Sequence, residues 1–200
     1  MNIAHLKLIL FCLVLTNVFT VHAQSDSALF DKNFRFRDGI YTSPREVLDN
    51  NPRYPGCQLM GKYSAESIFG RPTYHYFKHG TDMGEYIDSL FAFVSEGQLL
   101  INYRHDFHKM ILLGTISTFL VDAFHIDENG DAGIVDKLYF VDFTNGNINK
   151  LLPENVEYIF KHDRQFYKSF VSASYMKQKK TLYSFVLKYN ALHPIYFRLE

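Results

Sequence analysis

The chain has 200 residues, 21 Lys and Arg against 21 Asp and Glu, and a hydrophobic fraction of 47%. That apolar content at zero formal charge excludes an intrinsically disordered chain. The charge balance gives no electrostatic case for nucleic acid or an anionic membrane as partner, and two cysteines exclude a disulfide-dense scaffold.

Residues 1–23 read as a secretory signal peptide. Lys7 supplies the positive start, Leu8 to Leu15 is an unbroken apolar run, and Val21-His22-Ala23 offers small or modest side chains before Gln24. The run is about half the roughly 20 apolar residues that a membrane-spanning helix needs. Cys12 sits inside the run behind Phe11, the wrong context for lipid attachment. The expectation is export to the periplasm or beyond, with cleavage between Ala23 and Gln24 and no transmembrane segment in the mature chain. Cys57 would then be the one remaining cysteine, either buried and inert or open to an intermolecular link.

Residues 24–33 are polar and read as a flexible lead-in, and 34–200 as one globular domain. Phe34-Arg35-Phe36-Arg37 alternates apolar and charged residues, the pattern of a short half-buried strand. Asp38-Gly39 is a turn signal. Ser43 can cap a helix, Pro44 suits its first position, and Glu46 completes a capping box. Asn50-Asn51-Pro52 stops it. Residues 52–72, rich in proline and glycine, read as a long loop.

From Thr73 to Leu152 the pattern is β. Leu90–Val94 and Leu99–Tyr103 flank Glu96-Gly97 as a hairpin. Met110 to Val121 reads as one buried central strand or two strands bent at Gly114. Along Ile134 to Phe143, Leu138 and Phe140 share a face with Asp136 and Asp142. Val135, Lys137, Tyr139, Val141 and Phe143 take the other. Asn145-Gly146 is a strong hairpin signal, leading to a strand that ends near Leu152. After Pro153 the period becomes helical. Val156, Ile159 and Phe160 form one stripe, and Phe166, Tyr167, Phe170 and Val171 resume it after a break at Asp163. Leu182, Phe185, Val186 and Tyr189 make a second stripe, which should dock on the sheet. His193-Pro194 ends it. The expected fold class is α+β, an antiparallel β-rich central region with helices segregated to the C-terminal part.

The run Phe36-Arg37-Asp38-Gly39-Ile40-Tyr41, the short capped helix before Asn50-Asn51-Pro52, the central pair around Phe91–Tyr103 and Ile111–Phe119, and the close Lys188-Tyr189-Asn190 with His193-Pro194 resemble an uncharacterised exported family of Bacteroidota. The resemblance spans most of the mature chain. It implies no activity and carries over no catalytic residue.

The motifs that could carry chemistry are incomplete. His75 and His79, four apart, and His105 and His108 are the candidate metal ligands. A zinc site needs three or four ligands converging, and the residues between His75 and His79 do not make H-E-x-x-H. The spacing is so unspecific that exposed loop histidines account for it better than a metal site. Asp127 to Asp131 resembles the start of a calcium loop, but its sixth and twelfth positions hold Ala132 and Leu138 where Gly and Glu are required. An acidic hairpin tip turning at Asn129-Gly130 accounts for it. Ser174-Tyr175-Met176-Lys177 fits S-x-x-K without its companion elements. Cys57 lacks a setting that would lower its pKa. The many Phe and Tyr fall at core spacings, and tryptophan, the usual sugar-stacking platform, is absent. No residue is assigned a catalytic or cofactor-binding role, and no cofactor is expected. The expected function is a non-enzymatic, envelope-associated interaction module with a protein or envelope partner. The alternative is a small exported hydrolase or metal-binding protein.

Overall fold

The computed structural model describes residues 27–29, 34–62, 73–79, 81–86, 90–126 and 129–199. The segment read as a signal peptide lies outside them, as do Asp127 and Glu128 of the acidic tip and residues 63–72 of the expected loop. Within the polar lead-in, β1 (Ser27–Leu29) is a strand that polar composition gives no sign of.

Phe34 and Phe36 are buried and Arg35 and Arg37 exposed, as the alternation predicts, but the segment joins no β-ladder. A side chain takes the ladder's place. The buried Asn50 accepts from the Arg37 N–H at 2.9 Å and donates to the Arg35 carbonyl at 3.5 Å. The strand proper is β2 (Gly39–Tyr41). Gly39 sits at φ +144°, and a Cβ there would strike the Tyr54 carbonyl, so this entry into the sheet needs glycine.

Helix α1 (Pro44–Leu48) is capped by Ser43, whose Oγ accepts from the Glu46 N–H at 3.3 Å. The box is offset by one residue: Glu46 accepts from the Thr42 N–H at 2.7 Å rather than from that of Ser43. Asn50, at φ 46°, ends it in the left-handed conformation that asparagine tolerates. The expected loop over 52–72 is partly strand. β3 (Tyr54–Pro55) pairs with β2 at the sheet edge, the place a proline is allowed. β4 (Gln58–Lys62) pairs with β5 (Thr73–Lys78), and β5 with β6 (Thr81–Tyr86), in a separate three-stranded sheet.

The rest of the β region is a meander of β7 (Ala92–Ser95), β8 (Gln98–Tyr103), β9 (Asp106–Leu112), β10 (Ser117–Ile126), β11 (Ala132–Asp142) and β12 (Asn147–Lys150). β2 adds to its free edge beside β7, and an eight-stranded antiparallel sheet results, ordered β12-β11-β10-β9-β8-β7-β2-β3. Glu96 and Gly97, both at positive φ, make the two-residue turn between β7 and β8. The Met110–Val121 run resolves as two strands. The chain reverses at residues 113–116, so β9 and β10 pair as a hairpin, and Ile111 is exposed where a buried central strand would hide it. The β11–β12 loop has four residues. Asp142, 4% exposed, holds it by accepting from the Thr144 N–H (2.9 Å), the Thr144 hydroxyl (2.6 Å) and the Asn145 amide (2.9 Å).

Helices α2 (Pro153–Phe160), α3 (Arg164–Val171) and α4 (Tyr175–Leu192) follow. Asp163 caps α3 by accepting from the Gln165 and Phe166 N–H groups. Phe166 and Phe170 are buried as the stripe predicts, Tyr167 is half-buried, and Val171 is exposed. The final strand β13 (Tyr196–Arg198) pairs with β1. The chain is α+β, with three of the four helices among the described residues after Pro153.

The period of two divides the sheet's side chains between separate cores. One face carries Tyr41, Ala92, Val94, Leu99, Ile101, Phe119, Val121 and Val141, closed by Phe34, Phe36, Val47, Phe143 and Phe197. The other face buries Ile116 and Phe140 against Val156, Ile159, Phe160, Phe166, Phe170, Leu182, Val186 and Tyr189 of the helices. The last helical stripe therefore docks on the sheet as expected, except that Phe185 is half-buried. Further along this face Ile40, Cys57 and Leu90 form a smaller cluster with Phe93 and Phe107.

Candidate functional site

His75 lies on β5 and His79 at the turn beyond it, φ 52°. His105 lies in the β8–β9 turn, φ 69°, and His108 on β9. The two pairs thus stand on different sheets. His108 is half-buried, its ring 5.4 Å from that of Phe119, and its Nε2 lies 3.3 Å from the Tyr103 carbonyl oxygen. Among the described residues no three His, Cys, Asp or Glu side chains gather to hold a metal ion. Cys57 is buried and free. Desolvation pushes its thiol upward, against a weaker opposing pull from Lys78, and its Sγ–H points to the Pro55 carbonyl at 3.5 Å. Ser174 precedes α4 without a side-chain capping bond, and Lys177 is exposed.

The polar groups with the closest partners hold the scaffold together. The Tyr158 hydroxyl donates to Asp142 at 2.9 Å, and burial, then that carboxylate, push Tyr158 up to about 12. Asn190 of α4 acts as a two-way clamp on the β9–β10 connection. Its Oδ1 accepts from the Ile116 N–H at 2.8 Å and its Nδ2 donates to the Ile116 carbonyl at 2.9 Å. The Thr115 hydroxyl donates to the His193 carbonyl, and the His193 ring meets Asp163 at 3.0 Å. Asn190 and His193, in the close of the sequence, thus fasten helix, loop and helix cap.

The unusual surface is the far half of the β10–β11 hairpin. β9 pairs with β10 at Thr118 and Phe119, and β12 pairs with β11 from Tyr139 onward. Beyond those positions β10 and β11 pair with each other through Ile126 and Ala132. The far half is a two-stranded arm. On its helix-side face Phe124 is 68% exposed and pairs with Ile134, 74% exposed, with Leu120 and Ile126 also exposed. Asp122 and Asp136 pair directly across the strands within this apolar row. Like charges placed so are destabilising in the isolated hairpin. Ile111 and Leu120 continue the row into a depression lined with Phe107 and Met110.

Sequence reasoning placed a strand at Ile134–Phe143 but did not single out Phe124, Ile126 or Ile134. The available signal was that β10 carries large apolar residues on both faces (Val121 on one, Leu120, Phe124 and Ile126 on the other) through a stretch the helices are too few to cover. No family model, curated protein or solved structure matches this chain.

Proposed function

We propose that the chain is an exported, non-enzymatic interaction module of the cell envelope, and that the β10–β11 arm is its contact surface. The observation that carries this reading is the apolar row of Phe124, Ile126 and Ile134, exposed on the part of the hairpin beyond its ladders to β9 and β12. Large apolar side chains gathered on one exposed face mark interaction sites in soluble domains. The polar residues fit the same reading, since Asp142, Asp163, Asn50 and Asn190 serve turns, caps and clamps. Among the described residues no helix is long and apolar enough to cross a membrane. Export rests on the Lys7, Leu8–Leu15 and Val21-His22-Ala23 pattern.

Two experiments test the two halves of the reading. The protein recovered from its native host should begin at Gln24, or be blocked if that glutamine has cyclised. Recovery with Met1 retained in the cytoplasm refutes export. A photo-crosslinking residue at position 124, introduced in the native host, should give discrete adducts in the envelope fraction, while one at exposed Arg53 should not. Absence of adducts at position 124 removes the arm as the contact surface.

A further inference from the structure

The arm has a matching surface on the same chain. Between Arg164 and Leu192 there are six basic residues, Arg164, Lys168, Lys177, Lys179, Lys180 and Lys188, and no Asp or Glu. Leu182, Val186 and Tyr189 turn the other side of α4 into the core. On its outward side Met176, Lys180, Tyr183 and Leu187 recur at the spacing of one helix face, and all four are exposed, Met176 by 75%. Lys179 flanks them.

The order of residue types along this row repeats that of the arm. β10 presents Leu120, Asp122, Phe124 and Ile126: apolar, acidic, apolar, apolar. α4 presents Met176, Lys180, Tyr183 and Leu187: apolar, basic, apolar, apolar. The rows have similar lengths, about 20 Å for six strand steps and about 17 Å for eleven helical ones. The arm contributes a second carboxylate at Asp136, beside Asp122, and α4 a second ammonium at Lys179. Helix on sheet is also how α2–α4 already cover the base of this same sheet face.

From this complementarity of charge and pattern we infer that the arm of one copy docks on the outward face of α4 of a second copy. Asp122 and Asp136 then lie against Lys179 and Lys180, and Phe124 and Ile126 against Tyr183 and Leu187. The inference rests on the reading of the arm as a contact surface and names its occupant. The contact joins two different surfaces, so it either closes reciprocally in a pair or propagates from copy to copy. A chain of zero net formal charge does not oppose this by overall repulsion. The carboxylate pair, unfavourable in the isolated hairpin, gains counter-charges on docking.

The test is a charge swap on the purified protein in the form recovered from its native host, read as molar mass by analytical ultracentrifugation from about 10 μM to about 1 mM, the range in which small, partly polar interfaces associate. Wild type should gain mass with concentration and lose that gain as salt screens the pairs. The arm variant Asp122→Lys/Asp136→Lys and the helix variant Lys179→Glu/Lys180→Glu should each weaken self-association by about tenfold or more. Mixed together they should associate again, and a single chain carrying all four changes should behave as wild type. All four positions are exposed, and unchanged circular dichroism and melting confirm that the variants fold. Wild type that stays monomeric throughout overturns the inference. So does self-association that the mixed variants fail to restore. If crosslinks from position 124 in the envelope reach a different protein while the purified chain stays monomeric, the interaction reading stands and the second copy falls as its partner.

Discussion

Single polar side chains decide where the segments of this chain stop and join. Asn190 satisfies both backbone groups of Ile116, which is itself fully buried. Asn190→Ala leaves an N–H and a carbonyl without partners, at about 1–3 kcal/mol for each buried group so orphaned. Chemical denaturation should show a loss of about 2–4 kcal/mol. Asn190→Asp, which can accept but not donate, should fall between the two. Asp163 has a pH signature. The Phe166 N–H first, then the His193 ring, hold its carboxyl below the ordinary range. A folded-state pKa below the unfolded value of about 3.9 adds stability above that value, lost as pH falls through the folded one. The stability gap between wild type and Asp163→Ala should be full at neutral pH and close below about pH 4, as urea midpoints across pH will show. A gap that widens on acidification contradicts this. Asp163 and Ser43 were legible as caps because each precedes an apolar period. Asn50 was legible only as a helix stop, and the backbone-serving roles of Asn50, Asn190 and Asp142 were not, because polarity alone does not say which polar residue finds inward-facing backbone to serve.

At the scale of elements, local signals were legible and distant pairings were not. Glu96-Gly97 fixes its turn within two residues, and the Pro153 helices follow from their 3.6-residue stripes. β1 and β13 lie more than 160 residues apart, and neither three-residue segment is amphipathic enough to announce the other. β3 was hidden by its own proline, which an edge strand accepts. The helical layer gives a ranking that tests the second core. Phe160, fully buried, stacks 4.9 Å from Phe170 and 5.1 Å from Tyr189. Phe160→Ala should destabilise by about 3–5 kcal/mol. Half-buried Phe185 meets Phe166 at 5.8 Å and Phe170 at 5.2 Å. Phe185→Ala removes less buried surface and should lose about 1–2 kcal/mol. Exposed Lys188→Ala should stay within about 0.5 kcal/mol. Denaturation midpoints in any other order mean that the helices do not form one core with Ile116 and Phe140.

At the scale of the whole molecule, a sheet with a core on each face has little reason to extend a hairpin past both of them. Val121 is the last residue of β10 held in a core, at 7% exposure, and Tyr139 is the first of β11 to pack against it. Between them Phe124, Ile126 and Ile134 leave large apolar surface in water, and Asp122 faces Asp136. None of these contacts closes the fold, so the arm is separable from it. This gives a deletion test. Asp122 and Asp136 are register partners, and joining them directly by an Asn-Gly turn, in place of residues 123–135, keeps every residue of both cores. The trimmed chain should unfold within about 1 kcal/mol of wild type, since no residue of either core is removed. Its molar mass should lose the concentration dependence expected of the full chain. A trimmed chain that fails to fold would make the arm part of the folding unit. Folding that survives while self-association persists would move the contact elsewhere. Intact folding with association lost is what a surface built for a partner requires.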